Sequence, residues 1–389
     1  MTLFNLPPYL DRPAQFCLFS TAATWIASLI TSNVSQVDRL WTFLPTIYTA
    51  YYAFLPALPN SQPWLFVPYA PKELGWAAVK DYSPRALLMF SVVFVWMCRL
   101  SYNTYRRGLF SLKDEDYRWA VLRTQLPPWL FQITNLTFIA ATQNVLLLLL
   151  GLPTYVASVF QPHTSLVTSD YILAAVALTI LAFEFTSDNQ QFAFHAYKHA
   201  YLAKEKGDAD AKAYDPKEQW PGARLDWTAD DAKRGFVTRG LWRYSRHPNF
   251  ACEQSFWWVI TLFPLLAAAP PNPPRLSEIP PLHTIIIAIL HPDLYPALFE
   301  SLRSAFLPTL IDLLPAIAIS ILFFSSTLYT ESISSSKYPK AYAAYQERVG
   351  MFSPSLTLFK ALKLKFVDGE KKAKEVDRLV WGSLHAKED

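Results

Sequence analysis

The sequence predicts an all-α integral membrane protein with about seven transmembrane helices in one bundle, and three observations lead there. Only 17% of the 389 residues are charged, against 52% hydrophobic, whereas soluble domains carry charge at about a quarter of their positions. Charge is costly at bilayer depth, so a chain this poor in it belongs largely where water is absent. The second observation is a series of apolar runs close to twenty residues long, enough at about 1.5 Å per residue to cross roughly 30 Å of hydrocarbon. The third is a lopsided placement of Lys and Arg between those runs.

The first run, 14–31, follows the segment MTLFNLPPYLDRPAQ, which lacks the basic start of a cleavable signal peptide, so the run is expected to stay as a span. The run at 39–58 comes next although it contains Pro45 and Pro56. Further runs lie at 84–102, 127–151, 168–187, 250–269 and 305–329. The stretch LHTIIIAIL at 282–290 is too short to cross and is expected to be lumenal or re-entrant.

With the amino terminus outside, one side of the membrane receives 28 of the 35 Lys and Arg residues and the other only six. Basic residues near span ends favour the cytosol. The loop 103–126, the long polar loop 198–247 and the carboxyl-terminal tail therefore share the cytosolic face. This topology makes chance matches of two glycosylation sequons, Asn33-Val-Ser35 in a cytosolic turn and Asn135-Leu-Thr137 inside a span. Three regions are expected: 1–126 with the first three spans, 127–355 with the remaining spans and the long loop, and a polar tail at 356–389. The tail mixes Lys with Leu, Phe, Val and Trp381, a composition suited either to an interfacial helix on an anionic leaflet or to a solvated segment. Cys17, Cys98 and Cys252 have no paired spacing and no His cluster beside them, so neither a disulfide framework nor a metal site is expected. Disorder and nucleic-acid binding fit the composition poorly.

Three clusters of polar residues sit at the cytosolic ends of the expected spans, where a membrane-dissolved substrate could meet a water-borne cofactor. In FEFTSDNQQFAFHAYK, the residues Glu184, Asp188, Gln191 and His195 are spaced by four, three and four, which makes one helical stripe. Two carboxylates on one face at that depth imply a polar cavity rather than lipid. The second cluster, TRGLWRYSRHPNFACEQ, interleaves Arg239, Arg243, Arg246 and His247 with Trp242, Tyr244 and Phe250. Guanidinium forks grip phosphate and stack on planar rings, Pro248 stiffens the turn, and Asn249 and Glu253 lie one helical turn apart beyond it. The third cluster joins Asn33 and Asp38 to Arg99 and Tyr102. Those groups could supply a proton donor or carbonyl clamp, or Asp38 could instead form an ion pair with Arg39 or Arg99. No GxGxxG, Walker loop, HExxH or serine elbow is present, so any nucleotide must be held by the helical bundle itself.

The segment GLWRYSRHPNFACE resembles the signature of the steroid 5α-reductase-like superfamily, in its branch known as domain of unknown function 1295. NVSQVDRLW, WMCRLSYNTYRRG, DEDYRW, FEFTSDNQQF and TESISSSKYPKAYAAYQERVGMFSP extend the resemblance in order over roughly residues 30–355. The resemblance implies a multi-pass reductase of the endoplasmic reticulum, its carboxyl terminus cytosolic, with a cofactor cavity on the cytosolic side. NADPH would deliver hydride to the β-carbon of a lipid-soluble enone (a steroid, sterol or polyprenoid). Asp188, Asn249 and Glu253 would meet the cofactor, Tyr338 would lie near its far end, and Arg243, Arg246 and His247 would face its phosphates; from the stripe and the basic segment themselves, Glu184, Gln191 and Tyr244 are further candidates to bind it. Cys252 stands where the family has glycine. The carbonyl-clamping tyrosine has Tyr102, Asp38 and Arg99 as candidate counterparts, with Tyr102 or a protonated Asp38 expected to stabilise the enolate oxygen. Two other readings stay open: an isoprenylcysteine-type methyltransferase using S-adenosylmethionine, which shares the RHP turn, and a non-catalytic sterol-sensing or scaffold protein.

Overall fold

A computed structural model of the chain describes residues 6, 8–59, 61, 68, 69, 81–208 and 212–382. Among these it is helical throughout, without strands. In chain order the α-helices are α1 (Pro8–Thr31), α2 (Gln36–Trp41), α3 (Leu44–Ala53), α4 (Pro84–Arg106), α5 (Tyr117–Gln125), α6 (Pro128–Thr134), α7 (Gln143–Leu149), α8 (Leu152–Tyr155) and α9 (Thr168–Glu205). They continue as α10 (Ala229–Arg234), α11 (Pro248–Leu265), α12 (Leu282–Leu290), α13 (Tyr295–Asp312), α14 (Leu314–Lys337), α15 (Pro339–Arg348), α16 (Pro354–Phe366) and α17 (Glu370–Trp381). A wide π-helical turn at Asn135–Thr142 joins α6 to α7, and a second at Val156–Phe160 extends α8, within the single stretch Pro128–Phe160.

Among the described residues, five helices are long and apolar enough to cross a membrane: Tyr9–Thr31, Pro84–Arg106, Pro128–Phe160, Thr168–Glu205 and Leu314–Lys337. A sixth crossing exists if Leu282–Leu290 and Pro292–Asp312, bent by 119° at their junction, count as one. About seven were expected, and the expected runs that do not form one long apolar helix differ in how they are built. The run at 39–58 breaks into α2 and α3, with Pro45 in the first turn of α3 and a second break after Ala53. It still carries the chain back along α1. Near the carboxyl end of α1, Arg39 donates to the carbonyls of Ser111 at 2.5 Å and Asp114 at 2.7 Å. At the amino end, the Tyr52 hydroxyl donates to the Tyr9 carbonyl at 3.3 Å. The run at 250–269 forms α11, whose 18 residues include Asn249, Glu253 and Gln254. The run at 305–329 is divided at Leu313 between α13 and α14.

The chain forms two compact units, one from Met1–Leu178 with Trp257–Ile319, the other from Thr179–Phe256 with Ser320–Asp389. In the first, polar side chains join the spans where apolar packing alone gives little net attraction in lipid. Asn135 donates to Ser28 Oγ at 2.8 Å, and Asn144 to Thr24 Oγ1 at 3.3 Å. Arg85 and Asp170, both buried, form a two-pronged ion pair at 2.7 and 3.1 Å, with Gln161 accepting from the same guanidinium. Trp96 meets Trp257 edge to face at 4.9 Å. The motifs NVSQVDRLW and DEDYRW close on each other. Asn33 Nδ2 donates to the Leu112 and Asp114 carbonyls, the Asp116 amide donates to Ser35 Oγ, and Glu115 accepts from the Val34 amide. Both sequon asparagines are therefore buried and engaged, which agrees with the chance reading.

In the second unit a core of Tyr342, Tyr345, Val349, Leu364, Val376, Val380 and Trp381 gathers α15, α16 and α17. Part of the tail, expected either on the membrane surface or solvated, is packed: α17 buries Val376, Val380 and Trp381 inside the protein.

Candidate functional site

The site is built on the carboxyl-terminal half of α9. Ser187, Asp188, Asn189 and Gln190 are all buried, so this part of the helix is enclosed on every face. Gln190 fastens the basic segment to it: its Oε1 accepts from the Leu241 amide at 2.8 Å and its Nε2 donates to the Gly222 carbonyl at 3.0 Å. Gly240 is required there. Its φ of +62° is a left-handed conformation, and a Cβ would lie 2.5 Å from Gln190 Oε1. Trp242 Nε1 donates to the Ser187 carbonyl at 3.2 Å, while the Trp242 carbonyl accepts from the Tyr345 hydroxyl at 2.5 Å.

Beyond this anchor, the turn pairs with the segment after α15. The amides of Arg246 and His247 donate to the carbonyls of Gly350 and Met351 at 2.9 and 3.1 Å. Arg246 then reaches α14, where Nε and Nη2 donate to the two carboxylate oxygens of Glu331 at 2.7 and 3.0 Å. Its Nη1 donates to the carbonyl of Val349. Glu331 Oε1 also accepts from His247 Nε2 at 2.8 Å, and Oε2 from Gln346 at 2.9 Å. A carboxylate bound by a guanidinium can only accept, so the His247 proton lies on Nε2. Burial pushes the His247 imidazole below its ordinary pKa, outweighing the pull of Glu331 toward the charged form. Arg246 and His247, expected to face cofactor phosphates, are instead committed to Glu331. All three guanidinium nitrogens of Arg246 donate within the protein.

Pro248 opens α11, and one residue on, Asn249 Nδ2 donates to Asp188 Oδ1 at 3.4 Å. The other side-chain atom, Asn249 Oδ1, is buried and has no hydrogen-bond partner among the described residues. Glu253, one turn further, is buried, as are Asp188 and Glu184 on α9. The structure therefore brings Asp188 and Asn249 together, with Glu184 on the helix of the first and Glu253 on that of the second. Gln191 is half-buried, and the organising contacts belong to its neighbour Gln190. His195 stacks near His199 at 6.2 Å further along α9.

A hollow of about 240 Å³ lies beside this turn, lined among others by Asp226, Arg239, Gly240, Arg243 and Trp381. The Arg243 guanidinium sits over the Trp381 ring at 4.9 Å. Arg239 is held by buried Asp231 at 2.6 Å, and Tyr244 is exposed. Tyr338 does not reach the hollow's lining. Its ring covers Gly235, whose φ is +90° and where a Cβ would come within 2.4 Å of the ring.

A model of the family described as "Protein of unknown function (DUF1295)" matches residues 24–272. The chain belongs to the DUF1295 family. A relative over much of the DUF1295 chain is an uncharacterized protein of Schizosaccharomyces pombe, 29% identical over 332 residues that cover 85% of this chain and 76% of that protein. No solved structure matches. The DUF1295 match contains Asp188, Asn249 and Glu253 and stops before Glu331 and Tyr345.

In the other unit, Asp38 and Tyr102 have different surroundings. Asp38 Oδ2 accepts from Trp119 Nε1 at 3.0 Å within the NVSQVDRLW–DEDYRW junction. Burial pushes its pKa up, with Arg118 and Trp119 opposing. Tyr102 is 51% exposed on α4, with the Arg106 guanidinium 5.1 Å from its ring. Arg99 is buried on the same helix, and Arg39, the other proposed partner of Asp38, directs its Nη atoms to carbonyls. Glu331 and Gln190 were the functional candidates missing from the sequence reading. For Glu331 the available signal was a lone acid inside the last apolar span, TESISSSK.

Proposed function

We propose that this protein is a membrane reductase of the steroid 5α-reductase-like superfamily that uses NADPH to saturate a carbon–carbon double bond conjugated to the carbonyl of a lipid. The observation that carries the reading is Asn249 Oδ1, a buried acceptor lacking a donor, beside the carboxylate of Asp188. Buried polar atoms are nearly always satisfied, so an orphan acceptor suits a donor from outside the chain. NADPH presents such donors in its carboxamide and ribose hydroxyls. Asp188, Asn249 and Glu253 would hold these groups, and Arg243 with Arg239 would meet phosphate. When bound, the cofactor supplies a hydride.

Arg246, His247 and Glu331 position the turn from which α11 starts. Asp38 is assigned a structural role through Trp119. We infer an endoplasmic reticulum location from the same resemblance, and a cytosolic tail from the Lys and Arg distribution. Purified full-length protein is expected to bind NADPH and not S-adenosylmethionine at equilibrium, and to oxidise NADPH with a 3-oxo-4-ene steroid or a polyprenal. Binding of S-adenosylmethionine alone would replace this reading with the methyltransferase. Binding of NADPH without turnover on any enone class would favour the non-catalytic descendant.

A further inference from the structure

The tail splits into two helices with opposite surroundings. In α17 the apolar residues are packed into the protein. In α16 many are not: Leu358, Phe359, Leu362 and Phe366 are 62%, 63%, 47% and 74% exposed. At about 100° per residue these four fall on one side of the helix. Thr357 and Leu364, the buried residues of α16, lie on the opposite side. Lys363 and Lys365, both exposed, flank the apolar ridge, one on each edge. Lys360 is turned inward and donates to the Gln346 carbonyl at 2.5 Å. An apolar ridge between two lysines has the cross-section of a helix lying in a bilayer interface, with apolar side chains among the acyl chains and ammonium groups reaching back to phosphate.

Connectivity limits what can cover this face. The membrane-span candidate α14 ends at Lys337, and only α15, ten residues or about 15 Å long, and a short turn separate it from Pro354. We infer that α16 lies flat on an anionic phospholipid leaflet, with Leu358, Phe359, Leu362 and Phe366 inserted and Lys363 and Lys365 at headgroup phosphates. α17 stands clear of the lipid as part of the protein core.

The test uses the full chain in lipid nanodiscs, with the photo-crosslinking residue p-benzoylphenylalanine in place of Phe359, and separately in place of Lys374 on α17. Light is expected to add the mass of a phospholipid at position 359, at least several-fold more often than at 374. Equal adducts at the two positions would overturn the inference, and so would crosslinks from 359 to a second copy of the chain. Combining Lys363→Glu with Lys365→Glu is expected to lower the adduct at 359 several-fold in discs containing phosphatidylserine, with little change in pure phosphatidylcholine. An adduct unchanged in both lipids would remove the anionic-leaflet assignment.

Discussion

Arg246 and Glu331, 85 residues apart in the chain, meet as a two-pronged buried ion pair, with Nε–Oε1 at 2.7 Å and Nη2–Oε2 at 3.0 Å. Glu331 holds His247 and Gln346 as well, so one carboxylate joins α14, α15 and the basic turn. Removing one member of such a pair strands a buried charge and typically costs about 3–5 kcal/mol. Glu331→Ala is expected to lower the thermal midpoint in detergent clearly, and Glu331→Gln, which keeps shape but loses charge, by less. Equal midpoints for wild type and Glu331→Ala would show that the pair is dispensable.

The depressed pKa of His247 makes stability depend on pH. An unfolded chain protonates histidine near pH 6.5, while the folded protein resists until lower pH. The unfolded state therefore binds more protons below that value, and stability falls as pH drops. Thermal midpoints are expected to decline from about pH 7.5 to about pH 5.5. In His247→Gln, the part of the decline due to this imidazole disappears.

Gly240 and Gly235 combine left-handed backbone with no room for a Cβ. Alanine at either position is expected to cost on the order of 1–3 kcal/mol. At Gly235 the blocking atoms belong to the Tyr338 ring, so Tyr338→Ala should recover part of the loss in a double-mutant cycle. At Gly240 the obstacle is Gln190, which has two other bonds to keep, and Gln190→Ala should rescue poorly. Chemical or thermal unfolding of the singles and doubles measures both.

The proposed cofactor contact is tested at Asn249. Asn249→Ala removes the orphan acceptor together with the bond to Asp188, and is expected to weaken NADPH binding roughly tenfold or more, about 1.4 kcal/mol. Asp188→Asn should weaken it as well, because an amide there replaces a carboxylate acceptor with a partial donor. Titration calorimetry beside a thermal melt separates lost affinity from lost fold.

Asp38 and Trp119 form a structural contact in the first unit. Trp119→Phe is expected to destabilise by about 1 kcal/mol through loss of the hydrogen bond to the Asp38 carboxylate, while NADPH affinity stays at the wild-type level.

Much of the bundle was legible because lipid imposes a strong pattern: the runs behind α1, α4, α6 to α8, α9 and α14 are too apolar to be anything else. Run length could not show that Pro45 and the break after Ala53 divide the second crossing. The stripe Glu184–Asp188–Gln191–His195 assumed a helix with one buried face. Where Ser187 to Gln190 are buried all round, periodicity no longer says which glutamine makes the contact. The arginines were visible but their partner was not, since a bond across 85 residues leaves no local trace, and an exposed phosphate-binding role is the default for a free guanidinium.

The last helix is tied to the basic turn: Arg243 lies over Trp381, Thr238 donates to the Val380 carbonyl at 3.2 Å, and Tyr345 beneath α17 holds the Trp242 carbonyl. A premature stop codon just ahead of Glu370 would spare every hydrophobic crossing, so the nascent chain would still be inserted. What the cell would then have to dispose of is a correctly threaded protein whose water-facing portion never finishes assembling.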